Sequence, residues 1–401
     1  MITISKPYIT ESGNHARLNA DISVDEEKRT VWFEVESKFK DYLCRERCDG
    51  FIVGILNYAM VNGHNIKCDA PVGEYLYYNL TEHFIESLYR NSSQLHKTNI
   101  IAEIDSGELP NAGAVGTGIS CGIDSFHAIQ KNSDPKLPRH KITHLAFNNV
   151  GNHHGEKEVA RKLFEERSKK GRKFAEEFGF EFVLGDSNII EEFPQVHYFV
   201  HIYSNLFTVL CLQKLYSVYY YASSSPYSEF SLKDSEQHSP DHYELLTVFS
   251  FSTDTLKIYS EGGSISRFDK SGIIGNYPPS YKYLNVCIIT AENCGVCHKC
   301  RRTIMDLYAK GVLDNYGEVF DLAHFNKNKS WYLAKAYAYY LNKDRFAIDS
   351  YQALRKEITF PIRIKAIPTY IAIRVNNMKE GKTKSKLTKL LTRINDRRRE
   401  A

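Results

Sequence analysis

Two groups of residues in this 401-residue chain have the types and spacing to do chemistry. The first is Gly116-Thr117-Gly118-Ile119-Ser120-Cys121-Gly122-Ile123-Asp124-Ser125, a run of small residues, hydroxyls and one acid between an apolar strand pattern and a helical pattern. Small residues let backbone N–H groups approach a phosphate closely, a helix N-terminus favours an anion, and the hydroxyls of Ser120 and Ser125 add donors. Asp124 suits a phosphate-bound magnesium ion. The run is not a Walker loop, because no lysine precedes Ser125, and the third glycine of a Rossmann fingerprint would fall on Cys121. The second group is Cys287, Cys294, Cys297 and Cys300, spaced C-x6-C-x2-C-x2-C with Gly295 available for the tight turn. Four thiolates fill a tetrahedral zinc site and leave no open position, which points to a structural rather than a catalytic metal. An iron–sulfur cluster competes, since the last three cysteines share ferredoxin spacing, but the usual fourth Cys-Pro is missing. His298, inside the turn, is expected to be exposed and not a ligand.

These groups need elements to hold them. Residues 114–119 form an apolar run followed by a helical pattern from Ser125. Residues 142–147 lead into a helical pattern over 157–178, and 180–184 form a third strand. A helix over 197–215 then precedes a strand over 218–222. Such alternation predicts an α/β fold, a parallel sheet with helices on both faces, and ligands on such sheets bind beyond the carboxyl ends of the strands. Before it, strand signals such as Val31-Trp32-Phe33-Glu34-Val35 mix with helical patterns near Asp49. The expected organisation is an α+β N-terminal region over 1–110, a nucleotide-binding domain over 111–300 that ends in the cysteine knot, a helical region over 301–360 and a basic tail over 361–401.

Ser120-Cys121-Gly122-Ile123-Asp124-Ser125 resembles the Ser-Gly-Gly-x-Asp-Ser signature of the PP-loop ATP pyrophosphatases, which transfer AMP to a carbonyl or carboxylate and release pyrophosphate. The resemblance implies ATP held by Gly118, Ser120, Cys121, Gly122, Ile123, Asp124 and Ser125, with Mg2+ present and Ser120 and Asp124 serving catalysis. It also places Asn148, at the end of the second strand, beside the adenine and ribose. Cys121 departs from the family, putting a side chain where its first glycine stands. With a late zinc knot added, the chain resembles the 7-cyano-7-deazaguanine synthase branch, in which an amine or ammonia displaces AMP to give an amide or a nitrile. Of that branch's Arg-Asn pair only Asn205 is present, and Ser239-Pro240-Asp241 echoes its Pro-Asp element, so Asn205 and Asp241 are the substrate candidates. The large flanking regions are foreign to the compact synthases, which implies a longer relative with its own small-molecule or peptide carboxylate. The rival readings are a PP-loop tRNA thiolase and a non-catalytic, zinc-stabilised binding protein of a defence or surface-polymer pathway.

Composition sets outer limits. With 42% hydrophobic and 25% charged residues the chain has the make-up of an ordinary globular protein. No apolar run approaches the roughly 20 residues that cross a bilayer. The N-terminus lacks the pattern of a signal peptide, so a cytoplasmic location is expected and the nine cysteines are expected to be thiols or metal ligands. Net charge is +4, yet residues 361–401 carry twelve Lys and Arg against three acids, leaving about −5 elsewhere. Any protein or nucleic-acid partner that is polyanionic therefore belongs to the tail, where Leu387, Leu390, Leu391 and Ile394 have amphipathic helical spacing.

Overall fold

The structure is a computed structural model, and it describes residues 1–151, 157–237 and 239–377. Contacts divide the chain into two compact units, Met1–Lys270 and Ser271–Ala401. Among the described residues are thirteen α-helices, none long and apolar enough to cross a membrane.

The strands of the first unit are β1 (Ile2–Ile4), β2 (Tyr8–Ser12), β3 (His15–Val24), β4 (Glu27–Glu36), β5 (Ile66–Cys68), β6 (Val72–Gly73), β7 (Ile100–Ile101) and β8 (Ile104–Asp105). They continue with β9 (Ala114–Gly118), β10 (His144–Asn149), β11 (Glu181–Ser187), β12 (Tyr216–Ala222) and β13 (Lys257–Glu261). Eleven of them make one sheet in the order β13-β12-β9-β10-β11-β4-β3-β1-β5-β7, with β2 on β3; β6 and β8 pair separately. The stretch from β13 to β11 is parallel throughout. The strands expected over 114–119, 142–147, 180–184 and 218–222 are β9 to β12, and the helices Ile123–Asn132, Lys157–Phe178 and His197–Cys211 connect them. Alternation carried this signal because strands covered on both faces are apolar at nearly every position, as in Ala114-Val115-Gly116. Gly116 answers a packing need: a Cβ there would lie 2.5 Å from the Tyr216 ring.

The boundary read at residue 110 is not a boundary of compact units. β4 pairs antiparallel with β11, Asp186 opposite Glu34 and Ser187 opposite Phe33, so the N-terminal strands extend the parallel part of the sheet. The helix Asp49–Asn62 packs with His197–Cys211 in the same core, where Phe51 meets Phe207 edge to face at 5.6 Å. Loop composition at 106–111 marks a turn; only long-range pairing decides whether a turn divides domains. Cys44 and Cys48 precede the helix Asp49–Asn62, with Cys48 at its N-cap.

The second unit is mainly helical. It holds His298–Ala309, Leu322–Leu341, Ile348–Leu354 and Phe360–Asn376. Ala334, Ala338 and Ala366 form a small core between the second and last of these, where small side chains allow close approach. The helix Phe360–Asn376 occupies the first part of what the sequence reads as a tail, and the amphipathic pattern over 387–394 lies outside the described residues.

Candidate functional site

The phosphate-loop candidate starts where β9 ends. Ile119 N donates to Ala146 O at 2.8 Å, which carries the pairing with β10 one residue past Gly118. Cys121 then takes a left-handed conformation, φ 57°, and Gly122 is the N-cap of Ile123–Asn132. Ser120 Oγ accepts from Gly122 N at 3.2 Å and donates to Ser125 Oγ at 3.3 Å, while Ser125 Oγ donates to Gly122 O at 3.0 Å. These bonds hold Ser120, Gly122 and Ser125 around one turn at the start of a helix, the end that favours an anion. Gly118 has room beside it, its nearest neighbour in the Cβ direction being Tyr219 Oη at 3.6 Å.

Cys121 explains its own departure from the resembled signature. Its position has the backbone that favours glycine, and its side chain is 2% exposed, so the thiol is tucked into the protein instead of standing in the loop mouth. A left-handed backbone costs a non-glycine residue about 1–2 kcal/mol. Cys121→Gly is therefore expected to keep stability within about 1 kcal/mol of the parent in urea unfolding, because relief of that strain offsets the lost thiol packing and the freer unfolded chain. A loss beyond about 2 kcal/mol would show that burial of the thiol outweighs the backbone.

Asp124, in the first helical turn, faces two cations that arrive from far along the sequence. Lys270 Nζ lies 3.2 Å from its Oδ1 and Arg267 Nε 3.7 Å from its Oδ2. Lys270 is 1% exposed, and its ammonium also donates to the carbonyl of Ser223 at the end of β12. A buried ammonium needs such partners, and these fix it next to the loop. Asn148, at the end of β10, donates to Thr208 Oγ1 at 2.9 Å.

The two substrate candidates are joined through one histidine. Asn205 donates from Nδ2 to the His201 carbonyl at 2.6 Å, and His201 Nε2 meets Asp241 Oδ1 at 2.9 Å. Asp241 Oδ2 accepts from Ser224 at 2.9 Å. Burial opposes the Asp241 charge, but hydrogen bonds from His201 and Ser224 and the attraction of His201 hold its carboxyl well below the usual range. Ser224, which binds Asp241, follows Ser223, whose carbonyl accepts from the same Lys270 ammonium that meets Asp124, so Asp241 is tied to the candidate phosphate loop through two adjoining residues.

In the second unit the sulfurs of Cys287, Cys294, Cys297 and Cys300 all lie within 4.8 Å of one another. Cys294 Sγ and Cys300 Sγ are 4.0 Å apart, far beyond a disulfide and close to the roughly 3.8 Å edge of a tetrahedron with 2.3 Å metal–sulfur bonds. Backbone N–H groups are aimed at the sulfurs: Cys297 N at Cys294 (3.3 Å), Cys300 N at Cys297 (3.4 Å), and Ile289 N and Thr290 N at Cys287 (3.4 Å each). Burial raises the Cys287 thiol, yet hydrogen bonds from the side chain and backbone of Thr290 and from the backbone of Cys294 and Ile289 outweigh it and bring the group down to about 6. Four close cysteines whose sulfurs accept from backbone N–H groups suit a metal ion such as zinc. His298 is exposed and opens the helix His298–Ala309, as expected of a residue outside the ligand set.

No protein-family model, no curated protein and no solved structure matches this chain.

Sequence reading missed Arg267 and Lys270, although a signal was present. Lys257-Ile258-Tyr259-Ser260-Glu261 is a strand followed by Gly262-Gly263-Ser264 and a helix with basic residues at i and i+3, the same strand, small residues and helix as at the first loop. It also missed Glu244, the first residue of the helix Glu244–Ser250, which is 3% exposed. The Ser260 and Ser223 hydroxyls lie beside its carboxyl without reaching good hydrogen-bond geometry, and burial pushes the group up to about 7 from 4.5. Nearby, His127 is driven the other way: burial, then the charge of Lys270, lowers it to about 4.

A carboxyl raised by folding contributes stability below its unfolded value and loses it as pH rises through the folded one. Glu244→Gln is thus expected to match the parent near pH 4.5 and to be more stable by roughly 1–3 kcal/mol at pH 8, measured by urea unfolding. An equal difference at both pH values would mean that Glu244 is not titrating on folding. In that variant the lowered His127 remains, so stability should rise with pH between about 4 and 6.5.

Proposed function

We propose that the chain is an ATP-dependent enzyme of the PP-loop kind, which adenylates a carboxylate or carbonyl and passes the activated group to an amine or ammonia. The observation that carries this reading is the turn Ser120–Ser125 at a helix N-terminus with the buried cations Lys270 and Arg267 gathered at its acidic residue. A lone glycine-rich connection has no need of two cations from a distant helix, whereas a triphosphate does.

In the adenylation step a substrate carboxylate oxygen attacks the α-phosphorus of ATP, the bond from that phosphorus to the bridging oxygen breaks, and the electron pair leaves with pyrophosphate. Backbone N–H groups of the loop, with Ser120 and Ser125, hold the phosphates in line for attack, and Lys270 and Arg267 stabilise the charge that grows on the leaving pyrophosphate. Asp124, with its side chain 22% exposed, is reachable by a phosphate-bound Mg2+, which would withdraw charge from the same oxygens. The amine then forms a C–N bond at the acyl carbon while the C–O bond to AMP breaks. Asp241, oriented by His201 and Ser224, and Asn205 serve substrate recognition. In this reading the four cysteines hold structural Zn2+.

The deciding experiment is release of pyrophosphate from ATP by the purified full chain across a panel of carboxylic acids. Acid-dependent release, lowered about 100-fold or more in Asp124→Asn with folding retained, supports adenylation. Absence of both ATP binding and pyrophosphate release would remove the enzymatic reading and favour a binding protein.

A further inference from the structure

Within the second unit, the helices His298–Ala309, Leu322–Leu341 and Ile348–Leu354 and the turn Arg345–Ala347 wall a cavity of about 60 Å³. One water needs roughly 10–15 Å³ on this measure, so the space accepts a small polyatomic group and not a base with its sugar. Its charged lining is unbalanced: Arg301, Arg302 and Lys335 face a single carboxylate, Asp344. Asp344 is already occupied as the cap of the turn, accepting from Phe346 N at 2.9 Å.

Two of the cations, Arg301 and Lys335, are held ready by neutral groups. Arg301 donates to the carbonyl of Val296 at 2.7 Å and to Tyr339 Oη at 3.5 Å, and its guanidinium lies 5.3 Å from the centre of the Trp331 ring. Lys335 is half-buried with its ammonium 5.5 Å from the same ring, and among the described residues neither Arg301 nor Lys335 meets a carboxylate. Arg302 stacks on Phe346 at 4.0 Å. Placing like charges together in a half-buried recess costs energy unless an anion joins them. Aromatic faces fix a guanidinium in place, and the two bonds that Arg301 makes leave its remaining N–H donors for a planar or tetrahedral oxyanion.

We propose that this cavity binds a phosphoryl group, as a free phosphate or as a phosphate monoester whose remainder stays outside. Three cations against one carboxylate match a dianion better than a carboxylate ligand. Recognition is by the guanidinium forks of Arg301 and Arg302 with Lys335 as a point charge, and the site stands independently of the nucleotide reaction in the first unit.

The chain has two tryptophans, Trp32 and Trp331, so Trp32→Phe leaves a single reporter that touches both Arg301 and Lys335. Its fluorescence is to be titrated with inorganic phosphate and with AMP, each against sodium chloride at matched ionic strength. A saturable change with phosphate or AMP but not chloride is expected, weakened about tenfold or more by Lys335→Gln and largely kept by Lys335→Arg. Tighter binding of AMP points to a nucleotide or nucleic-acid end as the source, and equal binding to free phosphate. Lys335→Gln removes an ammonium without a carboxylate partner, so the melting temperature should hold and a lost signal cannot be ascribed to unfolding. A chloride-like response to both ligands, or titrations unchanged by Lys335→Gln in a folded protein, overturns the proposal.

Discussion

Cys297→Ser is expected to release the bound metal and to unfold the C-terminal unit well below the melting temperature of the parent. Structural zinc in small cysteine sites contributes on the order of 10–16 kcal/mol of apparent binding free energy near neutral pH, all of it available only to the folded ligand set. Cys297 has a second task, since its sulfur accepts from Cys300 N at 3.4 Å as the N-cap of His298–Ala309. Serine keeps a capping oxygen while giving up the thiolate, so a collapse in this variant is assigned to the metal and not to the cap. Metal analysis of the parent should give about one zinc per chain, falling to a small fraction in the variant, and circular dichroism should show helix loss at lower temperature. Iron with sulfide in the parent would replace zinc by a cluster, and an unchanged melt with no metal in either protein would make the cysteines a packing group.

The second large effect belongs to Lys270→Met. Removing one partner of a buried ion pair costs about 3–5 kcal/mol, discounted here to roughly 2–3 because the Asp124 side chain is 22% exposed. If the lysine stabilises the leaving pyrophosphate, turnover should fall about 100- to 1,000-fold as well. The two consequences separate in a double-mutant cycle with Asp124→Asn. Neutralising Asp124 removes the unpaired charge, so the double variant should be more stable than the sum of the single losses predicts, while pyrophosphate release stays lost. Additive stability losses together with unchanged ATP affinity would leave Lys270 as a scaffold residue.

The parallel half of the sheet was legible in the sequence because its strands are short apolar runs and its helices have regular spacing. β9 and β12 are examples, predicted to within two residues at each end. The loop Ser120–Ser125 and the four cysteines were legible because their chemistry depends on neighbours in sequence. Lys270 was not, since its partner Asp124 lies 146 residues away, and the strand, small residues and basic helix around Lys270 do not say which acid it meets. Nor was the left-handed turn at Cys121, where the residue type argues against the conformation that the surrounding Ser120 and Gly122 impose. The union of β4 with β11 escaped for the same reason as Lys270: pairing partners of strands are chosen by tertiary structure.

That union has a consequence for the order of events during synthesis. The β3–β4 hairpin has all its residues once Glu36 has left the ribosome, yet the outer edge of β4 meets β11 only after Ser187 has followed. In the interval the edge presents unpaired backbone groups to anything nearby, and Lys28, Arg29 and the acids Glu27, Glu34 and Glu36 along β4 supply the charges that discourage a second copy from adding there. A chain cut at residue 110 would leave the same seam open permanently on both pieces. Each half should be less stable alone than in the whole chain, and the two should recover each other when made together in one cell.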